Sequence, residues 1–314
     1  MSEPRVTAVR SAELGVPDLK GATRFYRDVW GLAPVAEDRG SHYLRATGPE
    51  HHILKLEERA EPQLLRVNFA AEDKRSVDAL YARAKASGAK VGANPAELRG
   101  PGGGYGFEFE SRNGLKFSIS CGLPAHADAE DTADRPRKIS HVVLNTTDAE
   151  SDDQFFLDLL GFRLSDRSTI MHFFRCMTDH HSIAVAYAKR NGLNHIAFEV
   201  PDIYALMRGT GRLRRMGFEM GWGVGRHGPG NNIFGYWVEP SGFVVEYTTE
   251  VQQIEDEEQY RPGTPEDWKN FWQSIPGSMN KGANCRWGLA LNQTEQFRRA
   301  MAGDLVPYKW EPRS

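Results

Sequence analysis

The chain repeats one structural unit four times, and this repeat limits its fold more than any other feature of the sequence. The stretch AELGVPDLKGATRFYRDVWGL, residues 12–32, is typical of a strand, a turn with an aspartate, an amphipathic helix and a closing glycine. The stretch VVLNTTDAESDDQFFLDLLGF, residues 142–162, follows the same order. The residues that match at one constant offset are Leu14 with Leu144, Asp18 with Asp148, Phe25 with Phe155 and Gly31 with Gly161.

Two further units complete the pattern. They begin with LLRVNFAAEDK at residue 64 and with LNHIAFEVPDIYA at residue 193, and each is a predicted strand followed by a helix that ends in glycine. A glycine-rich loop and a hairpin follow each unit, with the sequences YGFEFESRNGLKFSIS and FGYWVEPSGFVVEY. Four modules in two pairs predict an α+β fold with two tandem domains, residues 5–122 and 137–250.

Two segments lie outside the repeats. Residues 123–136 are polar, rich in Ala and Asp and without an apolar period, so we interpret them as a linker. Residues 251–314 form a tail that is too aromatic to be disordered by composition. We expect this tail to pack back on the second domain, near its active site. Its tryptophans are Trp268, Trp272, Trp287 and Trp310.

Charge and hydropathy exclude several classes of partner. The 39 Lys and Arg residues nearly balance the 42 Asp and Glu residues, for a net charge of −3, and no stretch concentrates basic residues. No apolar run approaches the roughly 18 residues that a membrane helix needs. The N-terminal sequence MSEPRVTAVR lacks the apolar core of a signal peptide. We therefore expect a cytoplasmic protein that binds neither nucleic acid nor a membrane.

A carboxylate interrupts a strand that should be buried. The runs IFGYWV and FVVEY, separated by EPSG, predict a β-hairpin whose second strand contains Glu246. Burying a carboxylate costs several kcal/mol unless a positive or hydrogen-bonding group meets it. Neither Lys nor Arg occurs in IFGYWVEPSGFVVEY, so a metal ion is a candidate partner for Glu246.

A comparison of the two halves extends this idea to three residues. Equivalent strands of paired modules should converge on one cavity, where two imidazoles and one carboxylate can meet. Such a set leaves coordination positions open and suits oxygen chemistry at Fe(II). A single histidine is more often part of a core, but three potential ligands confined to one half favour a metal site. The aligned pairs are His141 with Ser11, His195 with Arg66, and Glu246 with Ser118.

The segment HGPGNNIFGYWVEPSGFVVE, residues 227–246, resembles the signature of the type I extradiol catechol dioxygenases. Members of this family include the dihydroxybiphenyl, homoprotocatechuate and trihydroxytoluene dioxygenases, and they belong to the vicinal oxygen chelate, or glyoxalase and bleomycin resistance, superfamily. The resemblance covers roughly residues 5–250. It implies two vicinal oxygen chelate domains, each of two βαβββ modules that form a curved, half-open mixed sheet around a cavity, with metal only in the second domain.

The resemblance also implies roles for individual residues. His141, His195 and Glu246 would bind Fe(II), or less often Mn(II). In DHHSIAVA, His181 matches the acid–base histidine of the family, and the adjacent His180 leaves that assignment open. The residues that match the pair which hydrogen-bonds the substrate oxygens are His227 and Tyr236. The implied reaction inserts both atoms of O2 into a catechol beside its hydroxyl groups, in a protein expected to form a homo-oligomer.

The sequence near the site also indicates the substrate class. Relatives that act on acidic catechols place arginines before the residue that matches His227, whereas EMGWGVGRHG offers Trp222 and only Arg226. We therefore expect a neutral catechol with a methyl, aryl or further hydroxyl substituent. Trp222 and Phe174 are candidates for the walls of a ring pocket, although core packing is the more common fate of such residues. No role is assigned to the polar residues Asn194, Arg226 and Asn232.

Two other functions remain open on the same fold. A glyoxalase-like isomerase would use metal-bound enediolate chemistry without O2, but such enzymes usually draw carboxylate ligands from both modules. A ligand-sequestering resistance protein would enclose its ligand without any metal. Metal content separates the three functions, because iron favours the dioxygenase, zinc or nickel the isomerase, and no metal the binding protein.

Overall fold

A computed structural model describes residues 3–268, 285–288 and 293–311, with only the backbone path for 285–288. Within these residues, two mixed sheets of nine strands each follow one another along the chain. No helix in the described part of the chain has the length and hydropathy needed to cross a bilayer.

The first sheet contains two βαβββ modules. Strand β1 pairs with β5 in antiparallel orientation and with β4 in parallel orientation. Strand β5 also pairs with β9, in parallel orientation. The strand order is β2-β3-β4-β1-β5-β9-β8-β6, with β7 attached to β8. The elements are β1 (Val6–Val16), α1 (Leu19–Arg24), β2 (Ala33–Asp38), β3 (Ser41–Arg45), β4 (Leu54–Glu58), β5 (Gln63–Ala71), α2 (Lys74–Ala86), β6 (Lys90–Val91), β7 (Ala96–Glu97), β8 (Tyr105–Glu110) and β9 (Lys116–Cys121).

The second sheet repeats this arrangement and adds one strand from the tail. Its order is β11-β12-β13-β10-β14-β17-β16-β15-β18, so the predicted pair of βαβββ modules is confirmed in both halves. The elements are β10 (Lys138–Thr146), α3 (Ala149–Gln154), β11 (Arg163–Arg167), β12 (Met171–Arg175), β13 (Ile183–Tyr187), β14 (Gly192–Glu199), α4 (Ile203–Arg215), β15 (Trp222–His227), β16 (Ile233–Val238), β17 (Val244–Thr249), β18 (Cys285–Gly288) and α5 (Glu295–Met301).

The first helix of each half differs from the regular amphipathic helix that the sequence predicts. The Asp18 carboxylate accepts a hydrogen bond from the backbone N–H of Gly21 and starts α1, but the chain then widens into a π-helix over Phe25–Trp30. This wider turn allows two consecutive aromatic residues, Phe25 and Tyr26, to be fully buried. The second half repeats the change, with its cap at Asp148 and its π-helix over Phe155–Leu159.

The two domains share one continuous core. The ring of Trp30 stacks on the ring of Tyr247 with centroids 3.8 Å apart, and the Tyr247 hydroxyl donates to the Trp30 carbonyl at 2.5 Å. Gly209 allows α4 to approach closely, since a Cβ there would lie 2.6 Å from the Tyr247 ring. Strand β17, which contains Tyr247, is therefore supported by an aromatic residue of the first domain.

The tail returns to the second domain. Trp310 donates from Nε1 to the Met216 carbonyl at 2.9 Å, and Arg24 lies over its ring. Phe297 of α5 is buried and its ring centroid lies 5.3 Å from that of Tyr236. Of the other tail tryptophans, Trp272 and the side chain of Trp287 lie outside the described residues.

Candidate metal centre

Strand register brings three potential ligands to one place. His141 lies on β10, His195 on β14 and Glu246 on β17, which are neighbours in the sheet. Ala197 of β14 lies opposite both His141 and Glu246, and His195 comes two residues before it on the same face. One ligand atom from each of the three side chains lies within 4.8 Å of the other two.

The three side chains are buried, and two of their metal-facing atoms lack hydrogen bonds. Glu246 Oε2 lies 3.3 Å from His141 Nε2 and 3.2 Å from His195 Nε2. Glu246 is 0% exposed, and neither its Oε2 nor His195 Nε2 has a hydrogen-bond partner. Leaving such atoms unsatisfied costs about 1–3 kcal/mol each, so a cation between them fits the site. Two imidazole nitrogens and a carboxylate oxygen suit Fe(II) or Mn(II).

The electrostatics favour the metal-binding forms of these groups. Burial lowers the pKa of His195 by more than the nearby Glu246 raises it, so the imidazole is neutral at neutral pH. Burial raises the pKa of Glu246, but His141 and His195 lower it by more, so its pKa lies below the usual 4.5. The site thus presents a neutral imidazole and an ionised carboxylate to a cation.

Two β-bulges orient the imidazoles. Asn194 is the extra residue of a bulge between β14 and β10, which turns its amide beside His195. Asn194 Oδ1 lies 2.7 Å from His195 Nδ1 and accepts a hydrogen bond from the Nδ1–H group. This tautomer leaves the lone pair of His195 Nε2 free for a metal. The Asn194 amide nitrogen donates to Asn145 Oδ1 at 2.8 Å and to the Met301 carbonyl of the tail at 3.2 Å. The tail therefore helps to hold the candidate ligand His195 in place.

Two other polar residues support the site. Ser140 occupies the second bulge, on β10, and its Oγ lies 3.1 Å from Nδ1 of His141. Asn232 donates from its amide nitrogen to Glu246 Oε1 at 3.3 Å and to the Thr248 hydroxyl at 2.7 Å. No role could be assigned to Asn194 or Asn232 from the sequence, because contact with a candidate ligand side chain depends on bulges and loop paths that no local pattern indicates.

The predicted substrate-binding residues line the same cavity as the metal ligands. His181, His227 and Tyr236 surround it together with His141 and His195. His227 Nε2 lies 2.8 Å from the Tyr236 hydroxyl, and the ring centroid of His181 lies 4.1 Å from that of His141. The structure therefore brings together the three residues from the comparison of the two halves and the three that the family resemblance implies.

The structure distinguishes His181 from its neighbour. His181 lines the cavity, whereas His180 is 0% exposed and points to Asp166, with Nε2 2.8 Å from Asp166 Oδ2. Gly230, in the loop after β15, has φ of 73° and passes close to His181, since a Cβ there would lie 2.9 Å from His181 Cε1. Burial, followed by the nearby His141, lowers the pKa of His181 well below its usual value.

The cavity walls are mostly apolar, and one expected wall residue is not among them. Trp222 lines the cavity, but Phe174 is fully buried and its ring stacks on Phe156 at 5.4 Å. Phe173 takes its place, because side chains alternate between the two faces of β12. The other non-imidazole residues around the cavity are Val143, Ile170, Met171, Pro229, Tyr236, Gln293 and Met301.

Comparisons with known proteins agree with this geometry. The sequence model of the Glyoxalase/Bleomycin resistance protein/Dioxygenase superfamily matches residues 8–119 and 138–247, one match for each domain. Among solved structures, the chain is similar to the Mn(II)-bound glyoxalase from Novosphingobium aromaticivorans. The two are 38% identical with a TM-score of 0.84, over 93% of this chain and 94% of the other.

Two curated relatives match over shorter stretches. Metapyrocatechase 2 of Cupriavidus necator is 36% identical over 122 residues, which are 38% of this chain and 38% of the relative. An iron-dependent extradiol dioxygenase of Rhodococcus jostii is 32% identical over 135 residues, 38% of this chain and 45% of the relative. The chain thus spans less than half the length of either curated relative. Because the family model matches both halves, the chain belongs to the Glyoxalase/Bleomycin resistance protein/Dioxygenase superfamily.

Proposed function

We propose that the protein is an extradiol ring-cleaving dioxygenase that inserts both atoms of O2 into a catechol-type diol. The observation that carries this proposal is a shared cavity: His141 and His195 line it together with His181, His227 and Tyr236, and a carboxylate oxygen of the buried Glu246 lies within 4.8 Å of a nitrogen of each of the first two histidines. Metapyrocatechase 2 and the Rhodococcus dioxygenase support it, since their matched stretches are 36% and 32% identical to this chain.

His141, His195 and Glu246 would hold the metal, and we propose Fe(II), with Mn(II) as the alternative. One relative is named iron-dependent, and one similar structure is described as Mn(II)-bound. When bound, such an ion supplies Lewis acidity toward the diol and electron transfer to O2. Three protein ligands leave open positions for both reactants.

The surrounding residues would handle protons and orientation. His227 and Tyr236, with Nε2 and Oη 2.8 Å apart, are placed to hydrogen-bond a substrate hydroxyl and to share its proton. His181 is neutral because its pKa is lowered, so it can accept a proton from a substrate hydroxyl and return it later. The apolar walls exclude water from these transfers.

The lining favours a neutral ring. None of the described residues that line the cavity carries a carboxylate, guanidinium or ammonium group. Arg226, the one arginine near His227 in sequence, donates to the Asn231 carbonyl at 2.7 Å and pairs with Glu250 instead of entering the cavity. We propose a methyl-, aryl- or hydroxyl-substituted catechol as substrate, and a homo-oligomeric assembly of the enzyme.

A metal-dependent isomerase is the second candidate. It is favoured by one observation, the 38% identity to a protein described as a glyoxalase across nearly the whole chain. Isomerisation through an enediolate needs neither O2 nor a diol, so the two functions differ in their requirement for oxygen.

The test is a set of reactions with a catechol panel and isotopically labelled O2, after anaerobic loading with Fe(II) or Mn(II). We expect oxygen uptake, incorporation of both labelled atoms and a coloured semialdehyde or keto acid. Diacid products, which result from cleavage between the hydroxyl groups, would contradict the proposal. Anaerobic turnover of a 2-oxoaldehyde–thiol adduct, with no reaction of any catechol, would establish the isomerase instead.

A further inference from the structure

A chain of polar contacts runs from the cavity into the protein interior behind His181. The Nδ1 atoms of His181 and His180 are 3.1 Å apart, and His180 Nε2 is 2.8 Å from Asp166 Oδ2. All three side chains are buried, with His180 0%, His181 3% and Asp166 4% exposed. Only His181 of the three lines the cavity.

The donor and acceptor capacities of these groups determine where the protons lie. An ionised carboxylate only accepts hydrogen bonds, so His180 donates from Nε2 to Asp166. A neutral His180 then has its lone pair on Nδ1 and accepts from Nδ1–H of His181. This arrangement places the proton of neutral His181 on Nδ1 and leaves Nε2 as the basic nitrogen available to the cavity.

Asp166 is fixed by the tail. Its Oδ1 accepts from the backbone N–H of Gly263 at 2.6 Å and from the Tyr260 hydroxyl at 3.4 Å. Because Oδ1 is taken by these donors, Oδ2 faces His180. The carboxylate thus has one fixed orientation toward the histidine pair.

We propose that Asp166 and His180 are positioning residues that hold His181 in the tautomer needed for proton transfer. In this scheme a substrate hydroxyl loses its proton to His181 Nε2: the O–H bond breaks, an N–H bond forms, and nothing is oxidised. The proton is then returned to an oxygen atom of the reacting substrate. The role in turnover rests on the proposed ring-cleavage function, whereas the tautomer itself is a property of the protein alone.

The second domain offers a matched control for this relay. His172 Nδ1 lies 2.7 Å from Asp153 Oδ1, so the same pair of residue types is buried a second time in the same domain. His172 lies between Met171 and Phe173 on β12 and does not line the cavity, whereas both neighbours do. A variant at His172 therefore reports the general cost of losing a buried histidine–carboxylate contact.

The first measurement is the tautomer in the metal-free wild type, read from the ¹⁵N shifts and proton couplings of the histidine rings. We expect His181 to carry its proton on Nδ1, and His180→Phe to give a mixture of tautomers. A wild-type His181 with its proton on Nε2 would overturn the proposal, whatever the variants do.

The second measurement is steady-state turnover with saturating O2. His180→Phe removes the acceptor for His181 Nδ1, and we expect kcat to fall about 10- to 100-fold with metal content and KM for the catechol unchanged. His180→Asn keeps an acceptor in the Nδ1 position and should recover most of this loss, and His172→Phe should retain wild-type kcat. Equal rates for the Phe and Asn variants at position 180 would contradict the proposal, as would an equal loss in His172→Phe.

These outcomes separate the two proposals. Failure of the ring-cleavage function would appear as no catechol turnover in the wild type and in His172→Phe alike. The tautomer measurement would then still decide whether Asp166 and His180 orient His181.

Discussion

The two domains place different side chains on the same strand framework. In the first domain Asn68 of β5 lies opposite both Ser11 and Ser118, and in the second Ala197 of β14 lies opposite both His141 and Glu246. Arg66 and His195 also correspond, since they lie opposite Glu13 and Val143. The backbone pairing is therefore common to both halves, and the side chains decide which half presents a candidate metal site.

The residue between the ligand positions matters as much as the ligands. Asn68 donates from its amide nitrogen to Ser11 Oγ at 2.9 Å and accepts from the Ser118 hydroxyl at 2.5 Å, so it fills the space between them. Ala197 has no side chain beyond Cβ and leaves that space open between His141 and Glu246. The half with the candidate metal site thus combines the donors with a small residue at the central position.

The first domain uses cations where the second would use a metal. Glu13 is buried, and its carboxylate accepts hydrogen bonds from Lys55 at 3.1 Å and from Arg66 at 3.2 Å. In the second domain Val143 occupies the equivalent position and lines the substrate cavity. The buried carboxylate of the first cavity is therefore met by the protein's own cations, whereas Glu246 Oε2 and His195 Nε2 of the second have no hydrogen-bond partner.

The largest expected effect comes from removing the candidate ligand Glu246. Removal of its counterpart in the first domain, Ser118, is the control. Glu246→Ala should abolish stoichiometric metal binding and turnover, because two imidazoles alone hold a divalent cation weakly. Ser118→Ala should leave both unchanged. Elemental analysis and oxygen uptake measure these outcomes, and metal retained by Glu246→Ala would refute the assignment.

A second experiment places a larger side chain at Ala197, the position between His141 and Glu246. Ala197→Asn introduces the side chain that occupies the first domain, and we expect it to lower metal affinity by at least about 10- to 100-fold, because the amide competes for the space between His141 and Glu246. Metal titration with a thermal unfolding control separates lost affinity from lost stability. The reverse change, Asn68→Ala, should cost about 1–3 kcal/mol of stability by leaving polar groups unsatisfied, and should create no metal site. Unchanged affinity in Ala197→Asn would show that the central residue is irrelevant.

The smallest expected effect concerns Glu13 and pH. Burial raises the pKa of Glu13, but Arg66 and Lys55 lower it by more, so the folded-state pKa lies below 4.5. The ionised carboxylate therefore stabilises the fold fully above pH 4.5, and this stabilisation is lost as the pH falls through the folded-state pKa. Chemical unfolding of metal-free wild type and Glu13→Gln should show a free-energy difference that shrinks in this acid range. A difference that is constant with pH would contradict the assigned ion pairs.

The repeat and the three candidate ligands that lie together could be predicted from sequence because both depend on local pattern. A strand, a capped helix and a hairpin have periodicities and turn residues that recur visibly in all four modules, so their alignment also aligned His141, His195 and Glu246 with Ser11, Arg66 and Ser118. The three residues are also close in space, because the strands that carry them, β10, β14 and β17, are neighbours in the sheet.

Other features depend on contacts that are distant in sequence. Nothing local indicates that Ser140 and Asn194 occupy bulges, or that the Met301 carbonyl reaches the Asn194 amide. The sequence also does not show that His180 contacts Asp166, whereas His181 lines the cavity. Such details follow from tertiary packing, which overrides local preference.

The contact between Trp30 and Tyr247 makes the two halves depend on each other. Tyr247 follows Glu246 directly in β17, and its ring rests on Trp30 of the other half with centroids 3.8 Å apart. The half that lacks the candidate ligands therefore supports a strand of the half that has them. The halves are not interchangeable modules, because a change at Trp30 would reach the strand of Glu246 from more than two hundred positions away.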